Sequence, residues 1–223
     1  MDLQLSDRVV LVVGGSGFIG SAIADRAEAE GATVVAASRS GSAGIRMDAN
    51  DDESVAAGIA SVVDTYGRLD AVVITAAPSA QTLDRERNGD PAQVVEAFEG
   101  KALTFLRIAN AAIPVMQGAG YGRIVGISGQ NGVLTGNITG SVRNAALNII
   151  AKNLADDVAG SGITVNTVNP GTVSESPSAD VEIGRGGESS PTQIANLVAF
   201  LISPLSALSG ESIAIGHRVR GVV

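Results

Sequence analysis

One junction near the start of the chain narrows the possible folds more than any other feature. Val9-Val10-Leu11-Val12-Val13 is an unbroken apolar run, and it leads straight into Gly14-Gly15-Ser16-Gly17-Phe18-Ile19-Gly20. An Ala/Glu-rich stretch follows from Ser21 to Glu30, with Ile23, Ala24 and Ala27 at helical spacing. Gly31 closes that helix, and Thr33 to Ala37 is a second apolar strand. Strand, glycine turn, helix and strand make a βαβ unit. Glycines at 14, 17 and 20 permit a tight turn and let backbone N–H groups at a helix N-terminus approach a pyrophosphate. A tight packing turn would use the same residues. With a strand before it and a helix after it, the turn predicts dinucleotide binding by Gly14, Ser16, Gly17, Phe18 and Ile19.

The alternation continues along the chain. Ser54 to Tyr66 reads as a helix ended by Gly67, and Ala71 to Thr75 as a strand. Pro91 to Met116 reads as one long helix that Pro114 should break. Arg123 to Ser128 is a strand, Ser141 to Ala159 a helix, and Ile163 to Val168 a strand. Thr192 to Ile202 is a helix, and Glu211 to Ile215 a last strand. Near-continuous apolar strands between helices predict an α/β fold with a parallel sheet covered on both faces. The expectation is a doubly wound Rossmann sheet of about seven strands, forming a single domain over 1–223. Ser174 to Pro191 reads as the least structured stretch.

Composition removes several function classes. Apolar residues make up 45% of the chain, which argues against disorder. Aromatics are 3% and the formal net charge is −8, so neither nucleic acid nor an anionic membrane is an expected partner. No apolar run approaches the ~18 residues a transmembrane helix needs. Met1-Asp2-Leu3-Gln4 lacks the basic start of a signal peptide, so a cytoplasmic protein is expected. Zero Cys and the single His217 leave no expected metal site and make a Ser-His-Asp triad improbable.

The end of the second strand bears on which dinucleotide is bound. A unit that binds NAD carries an acid about twenty residues on, to hold the ribose 2′-OH. Here the residues are Ser38-Arg39-Ser40. A guanidinium suits a 2′-phosphate, so NADP(H) is expected over NAD(H). Arg39 could equally be a solvated surface residue.

Further segments resemble the short-chain dehydrogenase/reductase family over about Asp7 to Ile215. Met47-Asp48-Ala49 is similar to the family's segment at the adenine. Tyr66-Gly67-Arg68-Leu69-Asp70 leading to Thr75-Ala76-Ala77 resembles the strand that ends in Asn-Asn-Ala-Gly. Gly122 to Ser128 resembles the strand carrying the active-site serine. Val165-Asn166-Thr167-Val168-Asn169-Pro170-Gly171 resembles the Pro-Gly segment at the nicotinamide, and Ser209 to Ile213 the last strand. The resemblance implies cofactor contacts from Asp48, Ala49, Ala76, Ala77, Pro170, Gly171 and Val173. It also implies a small-molecule substrate and a homodimer or homotetramer built on the two long helices. Glu175 stands where the family usually has Thr near the phosphates, and the segment to Pro191 is shorter than the usual substrate lid.

The catalytic positions depart from the family. Its Asn, Ser, Tyr and Lys fall on Lys101, Gly129, Gly140 and Asn144, and no Tyr-x-x-x-Lys exists in the chain. Ser128 is one residue early, and strand alternation should turn it to the other side. Tyr66 and Tyr121 precede strands and belong at the sheet end away from the crevice. Lys101 is then the cationic candidate for catalysis, with Asn144 and Asn131 as hydrogen-bond donors. Gly129 and Gly140 are expected to leave room for a substrate. Three readings stay open: a reductase of a carbonyl, imine or conjugated acceptor with altered proton donation; a cofactor-binding pseudoenzyme or regulatory subunit; and a lyase or dehalogenase on the same fold.

Overall fold

The computed structural model describes residues 2–42, 44–79 and 82–222, so Met1 of the N-terminal reading lies outside the described residues. In chain order the elements are β1 (Val9–Val13), α1 (Phe18–Ala29), β2 (Thr33–Ser38), β3 (Ile45–Arg46), α2 (Asp52–Tyr66), β4 (Ala71–Ile74) and α3 (Pro91–Phe98). A π turn (Glu99–Leu103), α4 (Thr104–Ala119), β5 (Gly122–Ile127), a 3₁₀ turn (Gln130–Val133) and α5 (Ile138–Asp157) follow. The rest comprises β6 (Ile163–Pro170), β7 (Thr172–Val173), β8 (Glu188–Ser189), α6 (Pro191–Ile202) and β9 (Ser212–Ile215).

Seven strands form one sheet in the order β3-β2-β1-β4-β5-β6-β9, and every pairing in it is parallel. The predicted doubly wound sheet is therefore what the chain builds. Its strand order reverses at β1 and β4, which opens a crevice at their C-terminal ends. Every residue of β1, β4 and β5 is buried, so both faces need helices. Val9, Leu11 and Val13 pack with Val55, Ile59, Phe105, Ile108 and Leu147, under α2, α4 and α5. Val10 and Val12 pack with Ile23, Ala27, Ile194 and Val198, under α1 and α6. Each such side chain contributes about 1.5–3 kcal/mol when fully buried.

Four helices start on side-chain caps: Asp51 for α2, Asp90 for α3, Asn137 for α5 and Ser190 for α6. Each cap accepts a first-turn N–H that the helix cannot satisfy itself. The Asn137 cap starts α5 at Ile138, ahead of the expected Ser141.

The helix from Pro91 differs from expectation. It is interrupted by the π turn at Glu99–Leu103, and α4 runs through Pro114 unbroken. Pro114 faces solvent, while Phe105, Ile108, Ala112 and Met116 anchor the opposite side of the helix. The proline forfeits one backbone bond, and the packing of that apolar face outweighs it. The stretch from Ser174 to Pro191 is closed at its base, because β7 and β8 pair in parallel.

Candidate cofactor site and active site

The glycine turn is held by its neighbours rather than by its own length. Gly14 has φ +87°, and a Cβ there would lie 2.5 Å from Thr75 Oγ1 and 2.8 Å from Ala76 N. A Cβ on Gly20 would collide with the Gly14 carbonyl oxygen. The Thr75 hydroxyl donates to the carbonyls of Val13 and Gly14, tying the turn to the end of β4. Gly17 is the N-cap of α1 and supplies no side-chain acceptor. The first-turn donors of α1 thus lack the side-chain partner that α2, α3, α5 and α6 each have. Gly17, Ser16 and Phe18 are exposed around this end, and Ile19 is half-buried.

At the end of β2 the side chains form a polar rim. Ser38 and Ser40 hydroxyls lie 3.4 Å apart, and Ser40 and Ser42 2.8 Å apart. Arg39 is exposed and has no ion pair among the described residues. Arg46 is exposed too, and it sits opposite Ser38 in the β2–β3 register. Ser42 and Arg46 were not among the sequence candidates, since β3 is too short to show a pattern. Asp48 is exposed, with its carboxylate accepting Asn50 N at 3.0 Å. Ala49 beside it is turned into the core.

Ala76 is half-buried and Ala77 exposed beyond the end of β4, and Pro170 closes β6 as a buried residue. A Cβ on Gly171 would strike the Gly187 carbonyl, so this glycine lets the base of the lid close against β6. Val173 is half-buried against the α1–α6 core. Glu175 is exposed.

Lys101 is the centre of a buried polar cluster at the end of β5. The π turn places it under the end of β5, where it is only 7% exposed. Its Nζ donates to the Ser128 carbonyl at 2.9 Å. Burial, reinforced by the charge of Arg143, pulls its pKa down to about 7. Asn144 is buried, with Nδ2 donating to the Gly140 carbonyl and Oδ1 unpartnered. Gly129 faces this amide: a Cβ there would stand 3.2 Å from Asn144 Nδ2. Lys101, Ser128, Gly129 and Asn144 therefore meet at one place.

Several expectations need correction here. The room expected at Gly140 is filled, because a Cβ there would lie 2.6 Å from Asn137 Nδ2. Ser128 does not turn away. The ladder ends at Ile127, and the Ser128 hydroxyl donates to the Asn144 carbonyl at 3.2 Å. Asn131 is exposed on the 3₁₀ turn, and among the described residues its side chain makes no hydrogen bond to this cluster. The buried residue of that turn is Gln130, whose Nε2 donates to the carbonyls of Ile215 and His217 and so fastens the turn to β9. A polar side chain beside an Asn-Gly pair gave no signal that it would be buried.

The tyrosines are remote, as expected. The Tyr121 ring lies between the guanidiniums of Arg8 and Arg123, at 4.4 and 4.3 Å, by the N-terminal ends of β1 and β5. Tyr66 ends α2 and is exposed. The His217 imidazole is exposed and meets the Arg218 carbonyl. Among the described residues, no helix is long and apolar enough to cross a membrane.

This geometry has counterparts. A 3-oxoacyl-[acyl-carrier-protein] reductase, FabG, of Vibrio cholerae is 28% identical over 239 residues, covering 95% of this chain and 96% of its own. A 2,5-dichloro-2,5-cyclohexadiene-1,4-diol dehydrogenase, LinX, of Sphingobium indicum is 29% identical over 228 residues, covering 90% of each chain. The crystal structure of gox2181 shares the fold with a TM-score of 0.81 at 23% identity, over 96% of each chain. The family model described as enoyl-(acyl carrier protein) reductase matches residues 16–216, and the chain belongs to that family of short-chain dehydrogenase/reductase oxidoreductases.

Proposed function

We propose that the protein is an NADP(H)-dependent reductase of a small carbonyl, imine or conjugated acceptor, with Lys101 supplying the proton that a tyrosine supplies in the usual site. One observation carries this reading: a buried lysine of near-neutral pKa beside the end of β5. A general acid works best when its pKa lies near the operating pH. At about 7, the Lys101 ammonium gives up a proton where an ordinary lysine would keep it.

The residues present fit the cofactor. The uncapped start of α1 suits a pyrophosphate. The hydroxyls of Ser38, Ser40 and Ser42 with Arg39 and Arg46 suit a 2′-phosphate, and no acid stands there to favour a bare hydroxyl. Asp48 presents an acceptor where the adenine is expected. When bound, NADPH supplies a hydride to the acceptor carbon. The chain's own part follows. The Ser128 carbonyl orients Nζ. As the acceptor's π pair moves onto its oxygen or nitrogen, that atom takes a proton from Nζ, and the neutral amine regains one from water. Asn144 holds the start of α5 through Gly140 and leaves Oδ1 as an acceptor toward the same place. Both curated relatives are oxidoreductases by name, which supports the reading.

A homodimer or homotetramer belongs to the same proposal. Val95 on α3 and Val142 and Ile149 on α5 are 53%, 40% and 59% exposed, more apolar surface than these helices need against the sheet.

A panel of ketones, imines and enones, followed by NADPH consumption, tests the reading. Turnover in at least one class is expected, lost in Lys101→Met while nucleotide binding persists. Bound nucleotide without any turnover would favour the second reading, a cofactor-binding pseudoenzyme. The filling of the Gly140 and Gly129 positions by Asn137 and Asn144 supports that alternative.

A further inference from the structure

Lys101 is not the only buried cation at this end of the sheet. Arg143, on α5, is 4% exposed and close enough to depress the Lys101 pKa by repulsion. Neither cation is paired with a carboxylate among the described residues. Among the described residues Arg143 is the one charged neighbour acting on Lys101. Two buried cations near enough to repel, with no carboxylate paired to either among the described residues, are costly.

Arg123 shows how this chain accommodates a buried guanidinium elsewhere. Its nitrogens donate to the carbonyls of Gly122, Gly162 and Ser203, and its plane lies over the Tyr121 ring. Among the described residues Arg143 has one carbonyl, that of Pro78 at 3.1 Å, and its Nε is buried with no partner. Lys101 likewise has one carbonyl for three possible donor hydrogens. Pro78 connects the two cations. It receives Arg143, and it packs so close to Gly100 that a Cβ there would lie 2.9 Å from Pro78 Cγ. A donor-rich, doubly positive pair at the candidate catalytic position, with unused donor capacity, is a site for an anion.

We propose that Lys101 and Arg143 together hold a carboxylate carried by the substrate, which makes the substrate a small acid such as an oxo acid or an unsaturated acid. The proposal rests on the reductase reading for the word substrate, and it stands on the two cations for the anion. It agrees with the role given to Lys101. An acceptor atom adjacent to a carboxylate lies within reach of the same ammonium, and the bound anion keeps that ammonium charged until the proton is needed.

Calorimetry on the full chain without nucleotide tests it, with pyruvate and acetate as probes and chloride as the inorganic comparison. Titrations at about pH 8 in two buffers of different protonation enthalpy read proton exchange on binding. One saturable carboxylate site is expected, with proton uptake, because the anion favours the Lys101 ammonium. Lys101→Met and Arg143→Met should each weaken binding by roughly tenfold or more. Lys101→Arg should bind but take up no proton, which also shows that the site survives substitution. The proposal is overturned by absence of saturable carboxylate binding, by binding unchanged in both methionine variants, or by chloride binding as tightly as the carboxylates. Failure of the reductase reading looks different: carboxylate binding would remain intact while the substrate panel shows no turnover.

Discussion

The ammonium nitrogen of Lys101 lies 2.9 Å from the carbonyl oxygen of Ser128, joining the π turn to the last residue before Gly129. This contact places a titratable group where β5 runs out. It also commits that group to a neutral partner, which does little to offset the cost of keeping it charged in a buried place.

The fold should therefore be least comfortable at the pH where Lys101 is protonated. In the unfolded chain this lysine titrates near 10.5, and in the folded one at about 7. Between those values the unfolded chain binds the extra proton, so stability rises with pH from 7 to 10.5 and the contribution is lost as pH falls through 7. The full span is on the order of 3–5 kcal/mol. Urea melts at both ends of this window should show that Lys101→Met removes the rise, with its largest stabilisation near neutrality. An unchanged pH slope in the variant would contradict the assignment.

The same group sets a kinetic signature. If Lys101 is the proton donor, kcat/KM for carbonyl reduction falls as pH rises through about 7, because this ratio follows the free enzyme. A flat profile across that range would remove Lys101 from the proton path.

At the other end of the crevice, Arg39→Ala should weaken NADPH binding by roughly 10–100-fold, the worth of a charge-assisted bond of about 1.5–3 kcal/mol. NADH affinity should be unaffected, since NADH has no phosphate at that position. Equal losses for both nucleotides would mean that Arg39 acts on the turn and not on the phosphate.

Gly14→Ala should abolish nucleotide binding. The backbone at φ +87° is strained for alanine, and the added methyl would press on Thr75 Oγ1 and Ala76 N. The turn has no slack, because the Thr75 hydroxyl already bonds it to β4. Fluorescence titration with NADPH checks the loss, and a melting curve separates it from unfolding.

Ile149→Glu should convert the proposed oligomer to monomer, since Ile149 is the most exposed large apolar side chain on α5. Light scattering that shows the parent already monomeric at micromolar concentration would overturn the oligomer itself.

The sheet was legible because its strands must be apolar on both faces. Val9–Val13 and Ala71–Ile74 carry no other message, and the glycines between β1 and α1 have one main use. The places of Arg39 and Asp48 were legible too, because both follow strand ends at fixed distances, and both are exposed there. Legibility ended where tertiary packing overrules local rules. Pro114 stays inside α4 because Ile108, Ala112 and Met116 hold the helix down from the far side. The burial of Lys101 depends on a π turn, which local spacing does not announce. Gln130 fastens the 3₁₀ turn to the carbonyls of Ile215 and His217, a tertiary contact that its neighbours in sequence do not announce.

The Asn137 side chain has a consequence for what position 140 can hold. It caps α5 by accepting Gly140 N at 2.8 Å, and it occupies the space a side chain at 140 would need. A side chain introduced at that position would first have to displace the cap, at about 0.5–2 kcal/mol. The two positions are therefore locked together: 140 can gain a side chain only if Asn137 gives up the helix start.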